Sequence, residues 1–397
     1  MKKALFIVHE YYPVGSAITN CLKPIIDEML KENIEVNVLT RKFPLNLRDF
    51  DVIDGVKVYR VEDKYLEVLN KRDSFKKKSL KYLFYKIYFH LLFIKKNKSI
   101  EDGFYDKKAM IKQGGKIIDG VDTIISCSFP FTSHKIAYAL KGKRKWIAYQ
   151  FDPYTYNYTL NKEQKDNRLK VELEYLKKAD KIFITEESYN ENIKTELVEL
   201  KNRYVVLPYA LIKKSQIDVT SKKEDSISLT FAGTLYKNLR EPFKMLDILL
   251  SLDIDIKINL YYSSEIEIIK CLEKYKDKVN LYFKSSKEEC DKALANTNII
   301  LNIGNTMINQ TPSKVFELIS LGKPIINFYT NKLDTSMNML KNYPLVYNVC
   351  VDEVDLLELK KFVIENKYVV KSFEEATKGY LKADEVAHKF IEECDKK

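Results

Sequence analysis

The stretch TPSKVFELISLGKPII, residues 311–326, sets a lysine and a carboxylate beside the first turn of an otherwise apolar helix. Helical spacing puts Val315, Leu318 and Ile319 on one face and Glu317 roughly opposite, one turn beyond Ser313 and Lys314. Thr311 suits the cap, Pro312 the first helical position and Gly322 the stop. The unpaired N–H groups of a helix start attract anions, and Lys314 adds positive charge there. The pattern suits a phosphate at the helix tip, with Glu317 accepting from vicinal hydroxyls such as those of a ribose. A capped surface helix with an ordinary Lys–Glu pair explains the same spacing.

A second stretch, LTFAGTLYKNLREP (229–242), leaves a strand near Gly233 and Thr234 and turns toward a helix. Only 8 of the 67 basic residues are Arg, and Arg240 is the sole Arg after Arg203. Where Lys is the default, a lone loop Arg points to bidentate recognition of phosphate or sugar oxygens. Lys237 competes for that role. Near the N-terminus, HEYYPVGSAITN (9–20) follows an apolar run and carries Gly15 and Ser16, where backbone can approach a ligand. IAYQFDPYT (147–155) leaves Asp152 at the end of another run, as an acceptor-side group or a turn residue. Asp253-Ile254-Asp255 has the form of a metal–nucleotide pair but leads into strict apolar/polar alternation, so it reads as a strand entry. His134 reads as packing within a helix, and His9 sits at a strand end.

Elements that position these residues alternate along the chain. Strand-like runs at Ala4–Val8, Val36–Leu39, Thr123–Ser126, Trp146–Tyr149, Lys181–Thr185 and Tyr204–Leu207 are separated by amphipathic stretches. After polar residues 213–226 the pattern restarts at Ser228–Phe231, Ile256–Tyr261, Val279–Phe283, Ile299–Ile303 and Ile325–Tyr329. Such alternation builds parallel sheets with helices on both faces. The fold class is therefore α/β, with two doubly wound Rossmann-like domains. The expected divisions are 1–212, a linker at 213–226, a ligand-binding domain at 227–372, and a C-terminal helix over 373–397 that packs back on the first domain. Ligands of such sheets bind beyond the strand C-terminal ends.

Charge is concentrated. Residues 71–98 hold ten Lys or Arg and one acid, a net +9 of the chain's +11. That argues against a nucleic-acid binder, which is basic over its binding face. Within this segment, FKKKSLKYLFYKIYFHLLFIKKNK (75–98) has an apolar middle too short to span a bilayer. It can lie on an anionic membrane, with Phe84, Tyr85, Phe89 and Phe93 entering the interface and Lys76, Lys77, Lys78, Lys95 and Lys96 meeting headgroups. An internal helix with a solvated Lys face is the alternative. Six dispersed cysteines without a CxxC pair suggest reduced thiols in a cytoplasmic protein and no zinc site. The apolar run after Met1 stops at His9-Glu10 with no small-residue cleavage site and reads as a first buried strand rather than a leader.

The stretch containing Glu317 and LGKPII resembles the nucleotide-sugar-binding helix of GT-B glycosyltransferases of the large glycosyltransferase 4 / group 1 family. That family shows Glu, seven residues, Glu, then a small residue with Gly-Lys-Pro. Here Asn309 stands at the first acid's position and TPSK replaces the Gly-rich centre, a variant similar to relatives that build surface polysaccharides. Further matches are the Gly-x-Leu loop at 233–240, the Pro…Gly loop at 13–16, LKKADKIFITEES and VVLPYAL, in the family's order. The resemblance implies sugar transfer from a nucleotide-diphosphate sugar, a UDP-sugar foremost, to a glycan or lipid-linked glycan acceptor at the inner face of the cell membrane. It implies retention of configuration without metal or cofactor. Arg240, Lys237 and Asp152 are then the catalytic candidates. Gly15, Ser16, Gly233, Thr234, Asn309, Thr311, Ser313, Lys314 and Glu317 are the donor-binding ones. The altered motif also admits a non-catalytic scaffold of the same fold at the membrane.

Overall fold

Apolar runs bounded by turn residues form the strands, and most central strands are buried along their whole length, as parallel sheets covered on both faces require. The computed structural model describes residues 1–98, 106–157, 160–221, 226–305 and 310–396. The chain divides into two compact units, Met1–Ala210 with Asp384–Lys397, and Leu211–Ala383.

The first unit runs β1 (Lys3–Ile7), α1 (Ala17–Lys31), β2 (Glu35–Arg41), β3 (Phe50–Ile53), β4 (Val56–Val61), α2 (Lys64–Asp73), α3 (Leu80–Lys98), α4 (Lys107–Ile117), β5 (Thr123–Ser128), α5 (Thr132–Lys141), β6 (Lys145–Gln150), α6 (Lys162–Leu176), β7 (Lys181–Ile184), α7 (Glu186–Asn192) and β8 (Tyr204–Val206). Sheet order is β3-β4-β2-β1-β5-β6-β7-β8, parallel except for the β3–β4 hairpin. Strand order reverses between β1 and β5, and the loop carrying Gly15 and Ser16 leaves the C-terminal end of β1 at that point.

The second unit runs β9 (Ile227–Leu235), α8 (Phe243–Leu250), β10 (Ile256–Ser264), α9 (Ile266–Leu272), β11 (Val279–Phe283), α10 (Lys287–Asn296), β12 (Ile299–Ile303), α11 (Lys314–Ile319), β13 (Ile325–Tyr329), α12 (Thr335–Leu340), β14 (Val346–Cys350), α13 (Leu356–Asn366) and α14 (Phe373–Ala376). Its order, β11-β10-β9-β12-β13-β14, is all parallel and reverses between β9 and β12. A buried Lys323 follows α11 and donates to Thr220 O at 2.7 Å and to Thr297 O, tying the segment before β9 to this unit.

The single helix expected over 373–397 is two pieces. The short α14 stops where Thr377 turns its hydroxyl back to Phe373 O (2.7 Å), and α15 (Ala383–Asp395) follows. Only residues from Asp384 join the first unit, where Phe390 packs on Phe183 (4.5 Å between ring centres) and Tyr149 (5.6 Å). Burying a ring of that size is worth about 2–3 kcal/mol.

Candidate functional site

The reversal point of the second sheet holds Gly233, Thr234 and Arg240 from the 229–242 stretch, together with Asn305. β9 ends in a tight loop that closes on itself: Tyr236 and Arg240 exchange backbone hydrogen bonds of 3.1 and 2.9 Å. Closure points Lys237 outward, where it pairs with Glu267 at 2.5 Å, and returns Arg240 to the strand end. Arg240 donates from Nε (3.1 Å) and Nη2 (2.6 Å) to Asn305 Oδ1, and from Nη1 (3.4 Å) to Thr234 O. Asn305 is buried and lies just past β12, so this contact bridges the two strands between which the order reverses. Burial lowers the Arg240 pKa, with Tyr236 and Asp334 opposing. Its hydrogen bonds go to neutral oxygens, Asn305 Oδ1 and Thr234 O, whereas Lys237 has a carboxylate.

Beneath the bridge lies Asp334. Its Oδ1 accepts from Ser336 N (2.8 Å) and Ser336 Oγ (2.7 Å), while Oδ2 is buried without a partner. A Cβ on Gly304 would meet that oxygen at 1.7 Å, so a side chain before Asn305 would have to displace the Asp334 carboxylate. Burial raises the Asp334 pKa; the Ser336 bonds and Arg240 oppose it. A cavity of about 240 Å³ opens beside Arg240, lined also by Phe243, Met245, Gly304, Phe328 and Val351. Gly233 and Thr234 close β9; a Cβ on Gly233 would crowd the Phe231 ring at 3.1 Å, and the Thr234 hydroxyl meets Ser263 Oγ at 3.0 Å.

Glu317 sits in a network of alternating charge between α10 and α11. Lys314 reaches its Oε2 at 2.7 Å and Lys287 the same atom at 3.5 Å. Asp291 approaches Lys287 at 3.0 Å and Lys314 at 3.7 Å. Burial raises the Glu317 pKa, but the two lysines outweigh it and hold the group below the usual range. The helix differs from expectation at its start. Thr311 is buried, Ser313 takes the cap position in a helical conformation without a side-chain cap bond, and the helix is six residues long. At the other end Gly322 adopts φ 65°, and a Cβ there would collide with Lys371 O at 2.2 Å. Asn309 lies outside the described residues.

In the first unit, Gly15 has an ordinary backbone conformation, and Ser16 caps α1 through reciprocal bonds with Thr19 (3.3 and 2.6 Å). The Ser16 N–H is therefore already engaged by Thr19. Asp152 follows β6 in a pinned loop. Buried Glu172 accepts from Gln150 Nε2 (2.8 Å) and from Thr155 N (3.2 Å) and Oγ1 (2.5 Å), and Tyr209 donates to Phe151 O (3.0 Å). Asp253 and Asp255 lie before β10, at the N-terminal side of the strand and opposite the strand C-terminal ends.

α3 corrects part of the basic-aromatic reading. Tyr85 stacks on Phe75, just past α2 (5.7 Å), and Arg72 of α2 lies 5.8 Å from the Phe89 ring. Phe84, Phe93, Lys76, Lys77 and Lys78 are exposed; the side chains of Lys95 and Lys96 are outside the described atoms.

Sequence reasoning missed Asn305, Asp334, Lys287 and Glu172. Asn305 and Asp334 meet the site through strand order, which no local pattern carries. Lys287 has a partial signal, a capping box at Ser286–Glu289 that starts α10 where it faces α11.

No family model matches the sequence. No curated protein matches it. Solved structures do match over nearly the whole chain. Sucrose-phosphate synthase from Thermosynechococcus elongatus is similar at TM-score 0.69 and 11% identity, covering 99% of this chain and 98% of that one. Anabaena HepE in complex with UDP and glucose matches at 0.64 and 11%, covering 99% of both chains. The catalytic domain of Arabidopsis thaliana starch synthase IV, bound to ADP and acarbose, matches at 0.63 and 10%, covering 99% of this chain and 98% of that one. At such identities the likeness speaks to architecture, and with two parallel-sheet units in this strand order it makes the chain a GT-B fold.

Proposed function

We propose that the protein is a glycosyltransferase that takes a sugar from a nucleotide-diphosphate donor, a UDP-sugar foremost, to a glycan or lipid-linked glycan acceptor in surface-polysaccharide synthesis. The observation that carries this is Arg240. In an Arg-poor chain the last Arg is drawn to the sheet's reversal point and held there by Asn305 Oδ1, a neutral acceptor. A guanidinium fixed in that way keeps its charge for an anion. Complexes of similar folds with UDP and glucose, and with ADP and acarbose, support a nucleotide-linked donor.

In this reading the donor diphosphate lies against Arg240 and the β9–α8 loop, with Lys314 and Lys237 adding charge nearby. As the bond from sugar to diphosphate breaks, negative charge grows on the leaving oxygens. A cation already in position stabilises it without reorganisation, an effect worth about two to three orders of magnitude in rate for one such group. Lys287 and Lys314 both engage Oε2 of Glu317, leaving Oε1 to accept from ribose hydroxyls. Gly233, Thr234, Thr311, Ser313 and Asn309 complete the donor-side candidates; Gly15 and Ser16 remain donor candidates of the first unit, and Asp152 its acceptor candidate. Retention of configuration, independence of metal and cofactor, and a peripheral position at the inner face of the cell membrane belong to the same proposal.

Calorimetric titration of UDP, GDP and ADP into the wild type, Arg240→Ala and Glu317→Ala tests it. One nucleotide binding the wild type, and both variants more weakly, supports the site. No binding of any of the three would return the protein to the scaffold reading.

A further inference from the structure

α3 is apolar on two opposite sides. Tyr82, Tyr85, Phe89 and Leu92, spaced three and four apart, are half-buried toward α2. Leu80, Phe84, Ile87, Leu91 and Ile94 repeat at the same spacing half a turn away, and Leu80, Phe84, Ile87 and Leu91 are 87, 63, 61 and 59% exposed. A helix with two apolar faces needs a partner for each, and α2 covers only one. Patches of this kind are uncommon on a soluble surface without a partner.

We infer that the exposed ridge of α3 is a docking surface for an anionic lipid bilayer, with the helix lying in the plane of the interface. Charge selects this occupant. Lys76, Lys77 and Lys78 are exposed just before the helix, and Lys81 and Lys86 flank the ridge. With ten basic residues and one acid in residues 71–98, two copies meeting ridge to ridge would bring like charges together. A surface of phosphate headgroups neutralises them, while the aliphatic and aromatic side chains enter the acyl boundary. The helix does not cross: no described helix is long and apolar enough to span a membrane, and Lys86 and His90 interrupt its middle. Over its 19 residues α3 is about 28 Å long, enough to bring several headgroups under one ridge. Tyr85 and Phe89 pack toward α2, and Leu80, Phe84, Ile87 and Leu91 serve the membrane. This deepens the peripheral-membrane part of the proposed function and rests on that part, not on the nucleotide site.

Vesicle co-sedimentation of the full chain tests it, using phosphatidylglycerol–phosphatidylcholine vesicles and phosphatidylcholine alone, at low and high salt. The expected result is binding to the anionic vesicles that falls in high salt and on neutral vesicles. Ile87→Ser with Leu91→Ser, both solvent-facing, should lower partitioning roughly tenfold or more while leaving circular dichroism unchanged. Lys76, Lys77 and Lys78 changed together to Gln should lower it by a similar factor and flatten the salt dependence. Binding to neither vesicle overturns the inference, as does equal binding to both, or a wild-type dimer that the double Ser variant converts to monomer. UDP titration of the same preparations separates the proposals. Vesicle binding lost with UDP binding intact removes only the docking surface; the reverse removes only the nucleotide site.

Discussion

His134 offers a stability test whose size follows from its surroundings. Its ring is fully buried on α5. Trp146 Nε1 donates to Ser126 Oγ (2.8 Å), so the Ser126 hydroxyl proton is free to donate to His134 Nδ1 (2.7 Å). The imidazole is then neutral with its proton on Nε2, which is buried without a partner. Burial pushes its pKa from 6.5 down to about 3. Between these values the unfolded chain binds the extra proton and the folded chain does not. The contribution is therefore fully present above pH 6.5 and is lost as pH falls toward 3, by about 5 kcal/mol in all. Between pH 7.5 and 5.0 the loss is about 2 kcal/mol. His134→Gln removes the titration while keeping a neutral polar side chain. Urea unfolding can be followed by fluorescence of Trp146, the chain's one tryptophan, which lies 6.3 Å from the His134 ring. The variant is expected to be less stable than wild type at pH 7.5, with the gap narrowing by about 2 kcal/mol at pH 5.0. Other groups, including Glu172 with its raised pKa, are common to both proteins and cancel in the difference. Wild-type and variant stabilities that run parallel between the two pH values would refute a buried neutral His134.

Arg240→Lys should keep charge but lose the fork held by Asn305, lowering kcat about tenfold to a hundredfold, while Arg240→Ala should lower it about a hundredfold to a thousandfold; steady-state rates of donor turnover check both. Glu317→Gln removes the carboxylate between Lys314 and Lys287 and should weaken nucleotide binding by about 1–2 kcal/mol, read by calorimetry. Gly322→Ala forces a left-handed backbone on a residue whose Cβ meets Lys371 O at 2.2 Å, and should cost about 2–4 kcal/mol in urea unfolding followed by circular dichroism. Lys323→Ala leaves the carbonyls of Thr220 and Thr297 without their donor and opens a void, costing about 3 kcal/mol or more in the same assay.

Much of the architecture was legible because buried parallel strands are locally recorded: Thr123–Ser128 and Ile299–Ile303 are short runs built on isoleucines that lie buried in their sheets. The β3–β4 hairpin shows where reading by apolar runs fails. Phe50–Ile53 and Val56–Val61 alternate burial instead of being wholly buried, and the clearer signal was the turn between them. Asp54-Gly55 is a two-residue hairpin connection, with both residues at positive φ (49° and 85°). β14 was missed for a similar reason, since Val346–Cys350 is an edge strand only partly buried and lacks a long apolar run.

The candidate site divides along the same line. Glu317 and Lys314 share one helical turn, so their pairing follows from spacing alone. Arg240 stood out by composition, but its partner Asn305 is 65 residues away and meets it only because β9 and β12 are neighbours at the sheet's reversal point. The structure thereby separates two residues that sequence could not rank. Lys237 and Arg240 are three positions apart in one loop, and the Tyr236–Arg240 bridge makes one of them the exposed tip and the other the inward return. Loop closure rather than residue type decides which of the two returns to the strand end. Gly304 follows β12, and its lack of a side chain leaves room for the Asp334 carboxylate beside Asn305.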